Sequence, residues 1–208
     1  MVSAQNITTA SAFFQSVSEK YGTISDYEAD MDIVVSGTTS ETKVSFKRPN
    51  LLRIDYSKPA EKVIVFNGDT LTIYVPEIPA TMTQTLPSSS DSAGMNLATP
   101  QGLALMSRYY TIGYEVGQNA VPLDDSSDEL VIKLVLYPKS AVEGFRTIKL
   151  AISPDTKLIR RVEAVSNQGQ VFVFLFSNYV LNQGITDQRF VYDAPSSTNT
   201  FNNFLFSE

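Results

Sequence analysis

The sequence predicts a mainly β protein of the α+β class, built as a strongly curved antiparallel sheet that forms an unclosed half-barrel. Alternating apolar and polar residues recur in short segments separated by turn residues, which is the pattern of neighbouring antiparallel strands. One mid-chain stretch loses this alternation but stays apolar, and the first residues have helical spacing. We therefore expect an N-terminal helix and a helical lid to cap the concave face of the sheet.

The N-terminal helix is expected over residues 7–22. Thr8 or Thr9 can serve as its N-cap, and Gly22 is a residue type that commonly ends helices. Its apolar face consists of Phe13, Phe14 and Val17. This face favours packing on the sheet as part of the core. From Tyr27 to Val35 the period changes to two, which predicts a half-buried strand.

Residues 44–74 predict four strands in a tight meander. Alternation places Val44, Phe46 and Arg48 on the same face of the first strand, so one charge points toward the apolar side. Pro49 ends that strand, because proline cannot donate a ladder hydrogen bond. A later Asn-Gly pair tolerates the positive φ angles that a hairpin turn needs.

Residues 76–110 form the predicted lid insertion. Prolines and a serine run interrupt the alternation, while leucines and methionines keep the stretch apolar. We expect a helix over Gln101–Tyr110 and a second, short helix over Thr81–Leu86. Methionine suits surfaces that accommodate changing apolar partners, but gap-filling in an ordinary core would use the same residues, and both interpretations stay open.

In the second half of the chain, apolar segments alternate with turn residues, and this pattern predicts an antiparallel meander. The last segment is apolar on both faces, so it must be covered on both sides or line an apolar cavity. An acidic cluster after the first strand lacks the spacing and glycine of a calcium loop, so we expect a solvated turn. The strands are expected at Ile112–Val116, Leu130–Tyr137, Phe145–Ile152, Leu158–Val165 and Val171–Leu181.

Composition excludes several function classes. A net charge of −6 in 208 residues argues against nucleic-acid binding, which needs clustered cations. The chain has no cysteine and no histidine, which removes most nucleophilic chemistry and nearly every zinc site. We therefore expect a single domain over residues 1–208 with no enzyme activity, no metal and no cofactor.

A group of motifs resembles a known family. Lys47-Arg48-Pro49-Asn50-Leu51 is followed by Arg53, Tyr56 and Pro59, and then by Val65-Phe66-Asn67-Gly68-Asp69-Thr70-Leu71 with Tyr74 and Pro76. This order is similar to the LolA family of periplasmic lipoprotein carriers, in which a KRPN pair of strands precedes a SDGKTLWFYNP hairpin. The resemblance is specific over residues 47–76, and near Pro195 the run Arg189-Phe190-Val191-Tyr192 echoes the family's last motif.

The resemblance implies a periplasmic chaperone that binds the acyl chains of lipoproteins in a hydrophobic cavity. Its partners would be lipoproteins, an inner-membrane lipoprotein-releasing ABC transporter and an outer-membrane acceptor, and it would act as a monomer. An alternative on the same fold is a LolB-like receptor or an RseB-like lipid-binding and envelope-sensing module.

The expected location is the periplasm, with the signal peptide already removed. Val2-Ser3-Ala4 has the character of a signal cleavage site, and the lack of cysteine suits an oxidising compartment. A cytoplasmic N-terminus, or a lipoprotein without its modified cysteine, are the alternatives.

Two sets of residues are predicted to form the site. The resemblance implies that Arg48 latches the lid to the sheet, where free carbonyls at helix ends would accept its hydrogen bonds. Strand parity groups the sheet residues, although it does not decide which of two apolar faces looks inward. The acyl-chain cavity is expected to be lined by Met31, Ile33, Phe46, Leu52, Ile54, Val65, Leu71, Ile73, Met82, Leu103, Leu105 and Met106.

Overall fold

The computed structural model describes residues 8–58, 60–86, 99–140 and 142–204, and most of these residues lie in strands. The predicted signal remnant and the middle of the lid insertion, residues 87–98, lie outside the described residues. The elements are, in chain order, α1 (Ala10–Thr23), β1 (Asp26–Val35), β2 (Thr38–Lys47), β3 (Leu51–Lys58), β4 (Ala60–Phe66), β5 (Thr70–Val75), β6 (Ala80–Thr85), α2 (Pro100–Tyr109), β7 (Tyr110–Tyr114), β8 (Val121–Pro122), β9 (Leu130–Pro138), β10 (Phe145–Ile152), β11 (Ile159–Ser166), β12 (Val171–Leu181), a 3-10 helix (Asp187–Phe190) and β13 (Asn199–Asn202).

The strands form one large sheet that is antiparallel apart from one pair. Its order is β13-β6-β5-β4-β3-β2-β1-β12-β11-β10-β9-β7, and β8 pairs with β9. β13 and β6 are the parallel pair. The order runs from β13 to β7 without returning on itself, so the sheet is unclosed. The predicted fold class, a mainly antiparallel unclosed sheet with two helices, is confirmed.

The chain divides into two compact units, and β12 contributes strand residues to both. Unit 1 consists of Met1–Thr23 and Ala93–Leu175, and unit 2 consists of Ile24–Ser92 and Phe176–Glu208. Both α-helices belong to unit 1, whereas β1 to β6 belong to unit 2. Within the described residues, neither helix has the length and apolar character needed to cross a membrane. The expectation of one domain stays a prediction.

In unit 1, helix α1 begins at a predicted cap. Oγ1 of Thr9 accepts a hydrogen bond from the N–H of Ala12 at 3.1 Å, which satisfies one of the free donors of the first turn. The Tyr21 hydroxyl accepts the backbone N–H of Ile159 at 3.1 Å and ties the last turn of α1 to β11. The helix buries Phe13, Phe14, Val17 and Tyr21. The predicted apolar face of α1 is therefore part of the core.

The strands of unit 1 share one face of large aliphatic side chains. Register pairs Leu136 with Ile148, and it pairs Leu150 with both Leu134 and Val162. Each of these side chains is almost completely buried. Because directly paired residues of antiparallel strands point to the same face, they form one continuous layer. All five strands predicted for the second half are present, with bounds within two residues of those expected.

The short helix expected over Thr81–Leu86 is wrong, because Ala80–Thr85 forms strand β6. Every second residue of this strand is a threonine, and β-branched side chains favour extended backbone. β6 pairs with β5 along its whole length. The first part of the predicted lid insertion therefore belongs to the sheet of unit 2.

The C-terminal segment after β12 packs on one face of unit 2. The backbone N–H groups of residues 183 and 184 donate to the buried carboxylate of Asp26 at 2.8 and 3.2 Å. Farther along, Phe190 is only 1% exposed and forms a buried cluster with Val63 and Val65. An aromatic ring buried this completely anchors the segment to β4.

Truncation of this ring tests the anchor. We expect Phe190→Ala to lower the free energy of unfolding by about 3–4 kcal/mol, because it removes buried area and leaves a cavity. Phe201→Ala is the matched control, since Phe201 is 54% exposed and its loss should cost less than about 0.5 kcal/mol. Urea denaturation of both variants measures the difference, and equal midpoints would contradict the anchoring role.

Candidate functional site

Register across β1 to β6 builds a continuous apolar surface in unit 2. One row of paired residues crosses six strands and consists of Ala29, Val44, Ile54, Ile64, Ile73 and Met82. A neighbouring row consists of Tyr27, Phe46, Leu52, Phe66 and Leu71. We call the side of the sheet that carries these rows the apolar face, and the other side the opposite face.

Burial changes along the apolar face. In the second row, Phe46, Leu52 and Leu71 are at most 4% exposed. In the first row, Ile54 and Ile73 are only half-buried. Ile54 nevertheless lies on the same strand as Leu52, and Ile73 lies on the same strand as Leu71. The apolar face is therefore buried at Leu52 and Leu71 but partly accessible at Ile54 and Ile73, which is where an apolar ligand can make contact.

Most of the predicted sheet residues come together on this face. The predicted sheet residues that lie there are Met31, Ile33, Phe46, Leu52, Ile54, Leu71 and Ile73, and Met82, which was expected in the lid, lies there too because it belongs to β6. Half of this set is buried, and the half-buried members are Ile33, Ile54, Ile73 and Met82. The grouping that strand parity suggested is thus present in the structure for the seven sheet residues.

The structure does not bring Val65 together with them. Val65 pairs with Arg53 and Thr72, so it lies on the opposite face. It is 2% exposed and belongs to the cluster around Phe190. The reason is that β4 is apolar on both sides, so composition alone does not separate Val65 from its neighbour Ile64. Val65 is a core residue of unit 2.

The predicted lid residues lie on α2 in unit 1. Thr99 caps this helix, because its Oγ1 accepts the N–H of Gly102 at 3.1 Å. Leu103 and Met106 are buried, and Leu105 is half-buried. A chamber that combines these residues with the apolar face of unit 2 stays a prediction.

Arg48 lies in the turn that follows β2 and is exposed overall. Its Nε donates to the carbonyl of Ile24 at 2.8 Å, and its backbone N–H donates to the carbonyl of Ser25 at 2.9 Å. Ile24 is the residue directly after the last residue of α1. This acceptor is a backbone carbonyl of the α1–β1 junction, whereas the expected acceptors were carbonyls at helix ends of the lid. The latch between Arg48 and the lid stays a prediction.

The opposite face holds a charged network that the sequence did not reveal. Arg189 contacts the carboxylate of Asp55, and its Nε donates to Oγ of Ser45 at 3.2 Å. Arg53 joins the network through a 2.9 Å pair with Asp55, and its Nη1 donates to the carbonyl of Arg189 at 3.1 Å. The only available signal was the alternation of charged residues in β3, which does not identify a partner more than a hundred residues away. These ion pairs attach the C-terminal segment to the opposite face.

Comparison with known proteins connects this arrangement to a family. Residues 34–193 match the family model of the outer membrane lipoprotein carrier protein LolA. The outer-membrane lipoprotein carrier protein of Haemophilus ducreyi is 26% identical over 161 residues, which cover 74% of this chain and 69% of that relative.

Two solved structures share the fold. An uncharacterized conserved protein from Thermus thermophilus aligns with a TM-score of 0.58 at 12% identity, covering 91% of this chain and 96% of the other. The Pseudomonas aeruginosa MucA/MucB complex aligns with a TM-score of 0.54 at 13% identity, covering 89% of this chain and 61% of the other.

Fold and site together define a β protein with an unclosed antiparallel sheet and a partly accessible apolar face. The family model matches well over half of the chain. The chain belongs to the LolA family.

Paired substitutions on the two faces test the site assignment. Ile73→Thr should weaken binding of a neutral apolar fluorescent probe about fourfold, because it replaces part of a half-buried hydrocarbon surface with a hydroxyl. Val65→Thr should leave probe affinity unchanged but lower the free energy of unfolding by about 1–2 kcal/mol, since it buries a hydroxyl in the core. Probe titration and urea denaturation of both variants make the comparison. Equal loss of probe affinity in the two variants would show that the faces are misassigned.

Proposed function

We propose that this protein is a periplasmic carrier that holds the acyl chains of lipoproteins against the apolar face of unit 2. The observation that carries the proposal is the row of half-buried aliphatic residues, Ile54, Ile64 and Ile73, on the same face as the buried side chains of Leu52 and Leu71. Hiding an acyl chain from water is worth about 0.8 kcal/mol per CH₂, so an aliphatic surface of this kind can hold one without a covalent bond. The carrier is not an enzyme in this proposal.

The proposed cycle has two partners. An inner-membrane lipoprotein-releasing ABC transporter delivers the cargo, and an outer-membrane acceptor receives it. The match to the LolA family model and the name of the Haemophilus ducreyi relative support lipoprotein cargo and an outer-membrane destination. A carrier that works in water between two membranes must release its cargo as readily as it binds it, which favours noncovalent burial over tight trapping.

A second candidate function is a receptor or envelope-sensing module that binds a lipidated or peptide ligand in place. The shared fold of the MucA/MucB complex favours this alternative, because that structure contains a second protein bound to a protein of this fold. A carrier exchanges its cargo with an acceptor, whereas a receptor or sensor keeps its ligand. Transfer is therefore the property that separates the two.

Mass spectrometry of the protein purified from its native envelope tests the cargo. We expect a triacylated lipoprotein to accompany the protein, because the apolar face is accessible to acyl chains. A preparation that carries only a loose lipid would favour the lipid-sensing alternative. A preparation without any acylated molecule would contradict both.

Photo-crosslinking tests where the acyl chains lie. A photoreactive residue at Ile54 should label the acyl chains of a bound lipoprotein. The same residue at Thr72 is the matched control, because Thr72 is also half-buried but lies on the opposite face. Acyl labelling from Thr72, or none from Ile54, would contradict the proposed site.

Arg48 is proposed to favour the closed, empty state by acting as a latch. A ligand shifts such an equilibrium only through its different affinities for the two states, so weakening the latch should favour the loaded state. Arg48→Leu should therefore retain cargo more tightly and release it more slowly to an acceptor, while still folding. Arg48→Lys should be a poor substitute, because a lysine lacks the planar fork of a guanidinium.

A transfer assay with purified, loaded protein makes this measurement. Arg146→Leu is the control variant, since Arg146 is also exposed but lies in β10 of unit 1. Cargo transfer by Arg48→Leu at the wild-type rate would remove the latch from the proposal and leave the carrier role standing.

A further inference from the structure

The apolar face of unit 2 carries a cation. Among the described residues of β1 to β6 that register or alternation assigns to this face, Lys62 is the one charged side chain. The remaining residues of the face are aliphatic, aromatic, hydroxyl or amide side chains. A charge next to a hydrocarbon surface is unfavourable unless it is solvated or paired, so its position calls for a physical explanation.

Two independent observations place Lys62 on the apolar face. It precedes Val63, which pairs with Asp55 on the opposite face, so alternation turns Lys62 to the apolar side. Its Nζ also lies 4.5 Å from the centroid of the Tyr56 ring. Tyr56 pairs with Thr42 on the apolar face. Both Lys62 and Tyr56 are half-buried.

Lys62 and Tyr56 have unused hydrogen-bonding capacity. Within the described ranges, neither the Lys62 ammonium nor the Tyr56 hydroxyl has a hydrogen bond or an ion pair with another residue. The lysines of the opposite face behave differently, because Lys43, Lys47 and Lys58 each reach a carboxylate. An ammonium group offers three donors, and contact with an aromatic ring uses none of them fully.

Burial keeps the Tyr56 hydroxyl in its neutral form, in which it can donate a hydrogen bond. Desolvation raises the pKa of the Tyr56 hydroxyl above its ordinary value of 10.0, so this group keeps its proton throughout the neutral range. The Lys62 side chain is half-buried, and its ammonium lies at the Tyr56 ring. The ammonium and the ring that bears the hydroxyl therefore lie together on the apolar face, at the Tyr56 end of β3, and Ile54 and Leu52 follow on the same face of that strand.

We propose that Lys62 and Tyr56 form a headgroup site for amphiphiles with an acidic head, either a carboxylate or a phosphate. The chain of such a ligand lies along the apolar face from Tyr56 toward Leu52, a distance of about 13 Å along the strand. This inference rests on the proposed function, because it uses the same face. It adds a ligand class, since the acyl chains of an acylated protein are joined through neutral bonds whereas a fatty acid or an anionic phospholipid carries a charged head.

Calorimetric titration with three ligands of equal chain length tests the headgroup site. Dodecanoate, dodecyl phosphate and dodecanol are compared below their aggregation concentrations, with inorganic phosphate alone as a fourth ligand. The wild-type protein should bind both acids about tenfold more tightly than the alcohol, because a charge-assisted hydrogen bond favours the ionised head. Inorganic phosphate should bind much more weakly than dodecyl phosphate, because it lacks the chain.

Substitutions of Lys62 distinguish the effect of its charge from the effect of its size. Lys62→Met should abolish the preference for acids by lowering the affinity for both acids much more than the affinity for dodecanol, whereas Lys62→Arg should keep the preference. Tyr56→Phe should reduce the preference in the same way. Lys58→Met is the matched control on the opposite face and should behave as wild type. In the wild type, added salt should reduce the ratio of the affinity for the acids to the affinity for the alcohol, because salt screens the charge of Lys62.

The outcomes distinguish this inference from the proposed function. A preference for acids that persists in Lys62→Met, or that does not respond to salt, overturns the headgroup site while the carrier role stands. Inorganic phosphate binding as tightly as dodecyl phosphate also overturns it, because the site would then be a simple anion site. Failure of all three chain-bearing ligands to bind overturns both proposals.

Discussion

The separation of charged from apolar side chains across the sheet of unit 2 is the constraint on which the rest of that unit depends. In β1, Asp30 and Asp32 alternate with Met31 and Ile33, and a slip of one residue would exchange the two sets. The opposite face resists such a slip, because Asp30 pairs with Lys43 of β2. A single exposed pair contributes little to stability, but a matched series fixes the register of the apolar rows.

The C-terminal segment completes this separation. Phe190 covers the valines of β4, and Arg189 meets the carboxylates of Asp55 and Glu28. The protein therefore covers much of its opposite face with its own chain, although that face is the more polar one. On the apolar face, the side chains of Ile54 and Ile73 keep partial exposure. This asymmetry is what makes a binding role for the apolar face physically reasonable.

The parts of the fold that could be predicted from sequence were those governed by local patterns. Period-two alternation located the strands of the second half, and helical spacing after a Thr8 or Thr9 cap predicted the N-terminal helix. β6 was missed because prolines and serines around it suggested an irregular insertion, while its threonines carry only a weak apolar signal. Val65 was grouped with the cavity because β4 is apolar on both sides, and only the pairing with Arg53 and Thr72 assigns its face.

Local sequence patterns did not predict the contacts between residues that are far apart in the chain. Nothing near Asp55 in the sequence indicates that Arg189 binds it, and nothing near Lys62 indicates that its ammonium lies at an aromatic ring instead of a carboxylate. The position of Arg48 is an intermediate case. The resemblance to a family directed attention to it, but its bond to the Ile24 carbonyl depends on how the α1–β1 junction meets the turn after β2.

Strand β13 has a consequence for how this protein behaves in a crowded compartment. A sheet that does not close leaves a row of backbone donors and acceptors at its margin, and such a margin can recruit strands of other molecules into aggregates. β13 pairs with β6 in parallel and occupies that margin with a strand of only four residues, each of them exposed. Short edge strands are poor templates for intermolecular pairing. β13 thus makes this margin a poor site for aggregation although the sheet does not close.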